Sequence, residues 1–277
     1  MPRAVAAYPG SAVERPPGRP PRLLSIAGSD SGGGAGIQAD LKAFARCGAH
    51  GMTAITAITA QSTAAVTAVF PLPPEAIIAQ VRAVAEDIGV DAVKIGMLGT
   101  AATIEAVDRA LDLIADAPVV LDPVMVAESG ASLLDDDAKE ALRTRLVPRA
   151  AVVTPNVAEA AALAEAEPGT DAGELARLVH ELGPGAVVVT GGDQERAADV
   201  FFDGSQLTRL PGERHPEGAA HGSGCTHSSA LAAQLALGLD PLEAARRAKE
   251  VASAAVRDGL RELGSGAGPV DVFGLVP

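Results

Sequence analysis

The chain has 277 residues, of which 48 % are hydrophobic and only 2 % aromatic, so it is long enough for one large domain with an aliphatic core. Its formal net charge of −13 argues against nucleic acid and against an anionic membrane surface as partners. No run of about 18 apolar residues predicts a membrane span. Cys47 and Cys225 lack the spacing of a disulfide framework, as expected for a cytoplasmic protein.

Residues 1–21 are rich in proline and arginine and lack an apolar segment, which predicts a disordered N-terminal tail and not a signal peptide. We expect residues 22–277 to form one domain, because no linker divides them. The domain begins with a predicted strand at 23–27, a glycine-rich loop at 28–36 and a helix at 37–46.

Strand and helix patterns then alternate along the chain. The further predicted strands are 52–60, 92–95, 118–121, 151–153 and 186–189, and the predicted helices between them are 74–88, 100–115, 135–146, 156–166 and 171–182. Residues 198–210 predict a β-hairpin, and two helices, at about 224–237 and 241–260, complete the chain. This order predicts an α/β fold in three layers, with a mostly parallel central sheet and an antiparallel hairpin at its edge.

Ligands of open parallel sheets bind beyond the carboxyl ends of the strands. The residues that follow the predicted strands are therefore the first candidates for a site, and they carry glycine, amide and carboxylate groups. They are 28–36, Gln61, Gly96, Met97, 122–125, 154–156 and 190–192.

Residues 220–227 join a glycine-bearing turn to an Ala- and Leu-rich helix. The first amides of such a helix have no partner and carry partial positive charge, so they can bind phosphate without a lysine. The same position would lower the pKa of the Cys225 thiol and make it reactive. The alternative is that Gly222 and Gly224 only allow two helices to pack closely.

Several other motifs fit less well. Residues 34–39 match G-x-G-x-x-A, but the next strand ends at Gln61 without the acidic residue that a dinucleotide site requires. No lysine follows a glycine, so a P-loop is excluded, and the G-x-S-x-G elbow of serine hydrolases is absent. His221, Cys225 and His227 do not form the clear ligand pairs of a zinc site.

Three acidic positions have both a structural and a functional interpretation. Asn156 and Glu159 form the pattern of a helix capping box, and they also fit a magnesium site beside substrate phosphates. Asp122 fits either a strand-ending Asp-Pro turn or the same metal site. Asp40, one turn into the first helix, either faces solvent or accepts a hydrogen bond from a ring amine.

Six segments, in the same order, resemble the hydroxymethylpyrimidine/phosphomethylpyrimidine kinases of thiamine biosynthesis, a family of the ribokinase-like superfamily. The segments are 28–42, 56–61, 93–98, 121–125, 154–159 and 221–226. The resemblance extends from about residue 22 to the C-terminus. It implies a ribokinase-like fold, a homodimer, and transfer of the ATP γ-phosphoryl group to 4-amino-5-hydroxymethyl-2-methylpyrimidine and then to its monophosphate, with Mg²⁺.

The resemblance also implies roles for individual residues. The catalytic set is Cys225, Gly222, Ser223 and Gly224; the pyrimidine-binding set is Gly28, Asp40, Gln61, Met97 and Val124; the nucleotide-binding set is Thr190, Gly192 and Asn156; and the magnesium set is Glu159 and Asp122. The three glycine and serine positions would form an anion hole. Cys225 occupies the place of the catalytic aspartate of sugar-kinase relatives and would act as general base or as a positioning group.

The sequence departs from the family pattern beside this site. Thr190 replaces a common lysine, Asp193 a common histidine, and Ala220 and His227 a common threonine and leucine. Two alternative functions remain open: a pyridoxal kinase of the same family, and a protein that binds the pyrimidine without catalysis.

Overall fold

The computed structural model describes residues 18–114, 116–126, 130, 133–193 and 197–275, with the backbone alone at Asp193. The strands are β1 (Arg22–Ala27), β2 (His50–Ile55), β3 (Ala57–Gln61), β4 (Val66–Pro71), β5 (Ala92–Ile95), β6 (Val119–Leu121), β7 (Val152–Val153), β8 (Ala186–Asp193), β9 (Ala198–Phe202) and β10 (Leu207–Leu210). The helices are α1 (Gly36–Arg46), α2 (Pro74–Asp87), α3 (Ala101–Leu111), α4 (Asp136–Ala141), α5 (Val157–Ala164), α6 (Ala172–His180), α7 (Ser223–Ala236) and α8 (Pro241–Arg257).

The main sheet has the strand order β10-β9-β8-β7-β6-β5-β1-β2. The pairs from β2 to β8 are parallel, whereas β9 and β10 add antiparallel neighbours at the edge. The chain proceeds from β1 outward to β2 and later returns to place β5 on the other side of β1. The carboxyl ends of β1 and β5 therefore flank a switch point, where doubly wound sheets bind ligands.

Helices cover both faces of this sheet. Buried residues of α2, α3, α5 and α6, such as Ile104 and Leu175, form one core with the sheet. Phe44 of α1 and the alanine-rich faces of α7 and α8 form a second core on the opposite face. The predicted three-layer α/β/α architecture with an antiparallel edge is confirmed, because apolar residues of the main sheet pack into cores with helices on both of its faces.

The sequence predicted one continuous strand at 52–60. This prediction is wrong, because the segment forms two separate strands, β2 and β3. The chain bends at the buried Thr56, whose amide donates to the Ala27 carbonyl and whose hydroxyl donates to the Met97 carbonyl. β2 therefore ends in the main sheet, and β3 pairs with β4, which the sequence analysis missed, in a separate two-stranded sheet. The Thr- and Ile-rich sequence contains no glycine or proline that could have predicted the bend.

Two other boundaries differ from expectation. The helix predicted at 135–146 changes after Ala141 into a wider π-helical turn over Leu142–Leu146. β8 continues past Gly191, where its pairing register with β9 shifts, instead of ending at Val189. Most of the expected tail, residues 1–17, lies outside the described residues. No helix in the described ranges has the length and apolar content that a membrane crossing requires.

Candidate active site

A cavity of about 340 Å³ opens at the carboxyl edge of the sheet, beside the β1–β5 switch point. We call it the first cavity. Its lining includes every residue of the four predicted site sets except Asp40 and Gly192. The glycine-rich loop, the segment after β5, the segment after β6 and the start of α7 are thus brought together by the parallel strands.

The glycine-rich loop is held in place by Asp30. One carboxylate oxygen accepts the Gly32 amide at 2.8 Å, and the other accepts the amides of Gly34 and Ala35 at 3.0 and 2.7 Å and faces His221 Nε2 at 3.1 Å. Burial alone would raise the pKa of Asp30, but these hydrogen bonds outweigh it and lower the pKa. The sequence analysis assigned no role to Asp30, although aspartate side chains commonly accept nearby backbone amides in turns, as in this loop of five glycines.

The turn over residues 222–225, which we call the amide turn, begins α7. Gly222 has φ of +83°, and a Cβ atom there would lie 1.8 Å from the Gly34 carbonyl oxygen, so only glycine fits. The Ser223 amide donates to the Ala220 carbonyl and the Thr226 amide to the Gly222 carbonyl. Within the described part of the chain, the amides of Gly224 and Cys225 are left without an intrahelical acceptor, and both residues line the cavity. This arrangement suits an anion.

Cys225 does not have the lowered pKa expected from the helix start. Burial is the largest effect and raises the pKa of the thiol to about 12, with Asp40 and Asp122 adding to it and Lys94 and a hydrogen bond from the Gly36 amide opposing it. The helix dipole is therefore outweighed by desolvation and by two nearby carboxylates. A protonated thiol is suited to positioning a neighbour and not to acting as a thiolate base.

Beneath the cavity lies a charged floor made of Asp40, Lys94 and Asp122. Lys94 Nζ is 2.8 Å from Asp40 Oδ1 and 3.9 Å from Asp122 Oδ2, and the side chains of Lys94 and Asp40 are fully buried. Burial opposes the charge of Lys94, but the attraction of Asp40 is the largest of the effects that raise its pKa. The lysine was missed, although a charged residue within the apolar run 92–95 is a clear sign of a buried partner.

The structure does not place Asp40 where a substrate ring would contact it. Its two oxygens accept the hydroxyls of Ser25 at 2.5 Å and Ser229 at 2.8 Å, in addition to the contact with Lys94. Asp40 therefore joins β1, β5 and α7 under the cavity and does not line it. This corrects the pyrimidine-binding set: helix α1 turns Asp40 inward toward the sheet, which residue spacing alone did not reveal.

Gln61 reaches the cavity through the small β3–β4 sheet. Ser29 fixes β3 by donating its amide to the Ala57 carbonyl and by accepting two hydrogen bonds from Thr59: the Thr59 amide donates to the Ser29 hydroxyl, and the Thr59 hydroxyl donates to the Ser29 carbonyl. Ser31 then donates to the Gln61 carbonyl and accepts the Gln61 amide. Gln61 is thus held on the wall of the cavity that Gly28, Met97 and the amide turn also line, and its side-chain oxygen accepts the Thr59 hydroxyl at 3.2 Å.

Asn156 and Glu159 form the predicted capping box at the start of α5. The Asn156 side chain accepts the Glu159 amide, and Glu159 accepts the Asn156 amide, each at 2.9 Å. Burial, followed by repulsion from Asp122, raises the pKa of Glu159 to about 7. Asp122 also has a raised pKa, mainly through burial, and it accepts the Ser228 hydroxyl at 3.0 Å. The two carboxyl groups thus lie close together on the cavity wall.

A second cavity, also of about 340 Å³, adjoins the first and shares Asn156, Thr190, Ser223 and Gly224 with it. Gly191 lines this second cavity, whereas Gly192 lines neither. A Cβ atom at Gly192 would lie 2.7 Å from Ala172, so this glycine permits close packing against α6. The predicted nucleotide-binding role of Gly192 is therefore not supported by its position.

A larger cavity, of about 760 Å³, lies at the opposite edge of the sheet, near the amino ends of β6, β7 and β8. Its walls include Pro118, Pro184 and Phe201. It contains none of the predicted site residues. Because chemistry and not volume defines a phosphate site, the first cavity is the candidate active site.

The comparisons with known proteins agree with this geometry. The sequence profile described as "Phosphomethylpyrimidine kinase" matches residues 30–271. The chain belongs to the phosphomethylpyrimidine kinase family. The resemblance seen in the sequence is confirmed, and with it the assignment of this kinase as a phosphotransferase.

One relative of this kinase, the hydroxymethylpyrimidine/phosphomethylpyrimidine kinase of Rhizobium meliloti, is 49 % identical over 90 % of this chain and 96 % of its own length. Among solved structures, an ADP complex of Bacillus subtilis pyridoxal kinase matches with a TM-score of 0.84 and 39 % identity, covering 92 % of this chain and 98 % of its own. A phosphomethylpyrimidine kinase from Clostridium difficile matches with a TM-score of 0.74 and 39 % identity, covering 83 % and 96 %. The ribokinase-like fold is thereby confirmed.

Proposed function

We propose that this kinase transfers the γ-phosphoryl group of ATP to the hydroxymethyl oxygen of 4-amino-5-hydroxymethyl-2-methylpyrimidine, and then a second one to the resulting monophosphate. One observation carries the proposal: Gln61, Met97 and Val124 line the same cavity as the amide turn. If Gln61, Met97 and Val124 hold the flat pyrimidine ring, its hydroxymethyl group can point toward the anion site at the amide turn.

The ring contacts follow from the chemistry of the lining. The Gln61 side-chain amide offers one donor and one acceptor group, which matches the amino group and ring nitrogen of an aminopyrimidine. Met97 and Val124 supply apolar contact, and a Cβ atom at Gly28 would lie 2.4 Å from Met97 Cε, so a larger residue at position 28 would displace the end of the Met97 side chain. These residues orient the acceptor oxygen for in-line attack.

In the reaction, the acceptor oxygen forms a bond to the γ-phosphorus while the bond to the bridging oxygen of ADP breaks. The transferred group carries its charge on peripheral oxygens, so positioning and fixed dipoles provide most of the catalysis. We assign this task to the Gly224 and Cys225 amides, which need no reorganisation when the charge develops. Cys225 serves as a positioning residue, and the acceptor proton leaves with the product or to solvent.

We place the ATP molecule across both cavities, with its γ-phosphate at the amide turn. Asn156, Thr190, Ser223 and Gly224 line both spaces and would follow the phosphate chain. Solved neighbours in this fold include complexes with ADP and with AMP-PCP. A kinase acting on ATP fits a cytoplasmic location, which we retain as part of the proposal.

Asp122 and Glu159 fit a magnesium ion. In the described part of the chain, no group of three or more His, Cys, Asp or Glu side chains is arranged to hold a metal. Magnesium is commonly held by one or two carboxylates together with substrate phosphates and waters. Burial and, after it, repulsion from Asp122 raise the pKa of Glu159, and a bound cation would relieve the repulsion. When bound, the ion would neutralise charge on the ATP phosphates.

We further propose that the kinase is a homodimer that uses the β3–β4 sheet. Phe70 is 60 % exposed, and Ile58 and Val69 are also exposed on this sheet. Both strands pair only with each other in the described structure, so each leaves a free edge. Light scattering should give a dimer for the parent protein and a monomer for Phe70→Glu.

Pyridoxal kinase is the second candidate, because pyridoxal kinases are close structural neighbours with TM-scores of 0.84. The deciding experiment measures ADP release with the pyrimidine alcohol and with pyridoxal as acceptors, at saturating ATP and Mg²⁺. We expect kcat/KM for the pyrimidine to exceed that for pyridoxal by at least about tenfold, the equivalent of about 1.4 kcal/mol. Turnover of pyridoxal alone would refute the proposal.

A further inference from the structure

The second cavity contains a cluster of charged and polar side chains that the amide turn does not explain. Asp199, which is 2 % exposed, accepts the Gly191 amide at 2.9 Å and the Lys249 ammonium at 2.8 Å through the same oxygen. His227 of α7 lies beside this pair on the cavity wall. Its Nε2 atom is 4.0 Å from the other Asp199 oxygen, which is too far for a hydrogen bond.

His227 is buried without satisfying either ring nitrogen. Its exposure is 4 %, and neither Nδ1 nor Nε2 has a hydrogen-bond partner among the residues that the structure describes. A buried imidazole in this condition destabilises the fold relative to an apolar side chain of similar size. Such a residue on a cavity wall points to a partner that arrives from outside the chain.

The nature of that partner follows from the state of the ring. Burial lowers the pKa of His227 and outweighs the opposing attraction of Asp199, and Lys249 lowers the pKa further by the smallest of the three effects. The ring is therefore neutral near pH 7, with one N–H donor and one lone pair. A neutral donor–acceptor pair suits a sugar hydroxyl or a base nitrogen better than a phosphate group.

The position of His227 along α7 also favours a contact with the nucleoside part of a nucleotide. Ser223, at the phosphate end of the shared lining, and His227 are four residues apart and lie on the same helix face, about 6 Å apart along the axis. Since a nucleotide that starts with its γ-phosphate at the amide turn extends into the second cavity, its nucleoside part comes next to this ring.

We propose that His227 contacts the nucleoside part of the bound nucleotide, which supplies the hydrogen-bond partners that its ring lacks in the free chain. The inference rests on the proposed function only for the nucleotide and its direction. It makes His227 a specificity-determining residue whose burial lowers the stability of the free chain.

The test replaces His227 with leucine and measures binding of AMP-PCP by calorimetry in magnesium chloride, with no acceptor present. His227→Leu should weaken AMP-PCP binding by about tenfold, as expected for the loss of one or two neutral hydrogen bonds. Binding of inorganic tripolyphosphate, which lacks the nucleoside, should stay within about twofold. The melting temperature of the free variant should be equal to or above that of the parent protein.

Thr226→Val provides the matched control. The Thr226 hydroxyl is also fully buried and without a partner in the described structure, but the residue lines neither cavity. Its valine variant should gain stability and keep the AMP-PCP affinity of the parent protein.

Unchanged AMP-PCP affinity in His227→Leu would overturn the inference, as would an equal loss of tripolyphosphate binding or the absence of AMP-PCP binding to the parent protein. Failure of the proposed function has a different signature. If neither pyrimidine nor pyridoxal is phosphorylated while AMP-PCP binding still depends on His227, the inference stands and the proposed reaction does not.

Discussion

The charged floor and the amide turn border the same cavity, yet they handle charge in opposite ways. Asp40, Lys94 and Asp122 are buried charged groups, and the Lys94 ammonium pairs closely with Asp40 and more distantly with Asp122 inside the protein. The amide turn offers neutral backbone dipoles whose partner must come from a ligand. Buried ion pairs fix structure because breaking one leaves an uncompensated charge, whereas unpaired amides at a helix start remain available for binding. The floor should therefore control stability and the turn should control activity.

The largest effect is expected at Lys94. Replacing it in Lys94→Met leaves Asp40 and Asp122 buried without their cation, which should destabilise the fold by about 3–5 kcal/mol. Urea denaturation followed by circular dichroism measures the change. Lys139→Met, which removes an exposed partner of Asp136, is the control and should change stability by less than about 0.5 kcal/mol. Equal midpoints for Lys94→Met and the parent protein would contradict a structural floor.

The next effect concerns the amide turn itself. Gly222→Ala places a Cβ atom against the Gly34 carbonyl at a residue with left-handed backbone conformation. The turn must therefore shift, and its N–H groups no longer point toward the bound phosphate. We expect kcat to fall by about a hundredfold, comparable to removing one oxyanion donor. Gly48→Ala is the matched control. Gly48 also has a positive φ, +76°, but a Cβ atom there would have no other atom within 4 Å. It should lose some stability and keep its kcat. Similar kcat losses in both variants would remove the special role of the turn.

Glu159 interacts with Asp122 of the charged floor and should make stability depend on pH. Its pKa in the folded chain is raised to about 7 from an ordinary value of 4.5. The folded state therefore binds the proton more tightly than the unfolded state, so this group's contribution is present below about pH 4.5 and is lost as pH rises toward 7.

Thermal unfolding between pH 5 and pH 7.5 tests this dependence without any assay of turnover. The decrease in melting temperature with pH should be smaller in Glu159→Gln, and Mg²⁺ should reduce it in the parent protein. The same slope in both proteins would show that Glu159 does not carry this proton.

The smallest effect is expected at Cys225. Because burial raises the pKa of its thiol to about 12, little thiolate is present at neutral pH. Cys225→Ser should therefore retain kcat within about tenfold, a loss that reflects altered positioning. The pH–rate profile from pH 7 to pH 9.5 should have the same shape in both proteins. A rate that rises with pH only in the parent protein would restore the general-base role.

The segments that identify the site were readable from the sequence for a simple physical reason. Parallel strands bring their carboxyl ends to one edge, so residues that follow each strand, such as Gly28, Asp122 and Thr154, converge however far apart they lie in the chain. Likewise, the capping box of Asn156 and Glu159 is a local pattern, and the glycine at 222 marks a backbone conformation that other residues rarely adopt.

Other features depended on long-range contacts. The bend at Thr56 arises from hydrogen bonds to Ala27 and Met97 in two other segments, so no local rule could predict β3 and β4. Asp40 has a structural role because α1 packs its carboxylate against the ammonium group of Lys94, which lies 54 residues later in the chain. The pKa of Cys225 was wrongly predicted because desolvation by the assembled core outweighs the dipole of its own helix.

The sequence by itself determined the α/β class, the family and the edge of the sheet where the site lies, because strand order, glycine positions and capping residues are encoded within short segments. Only the tertiary structure decided which polar groups are exposed to a ligand and which are already paired with other groups inside the protein. Burial and pairing are properties of all surrounding segments at once, and they assign Asp40 and Lys94 to the floor and leave His227 without a partner.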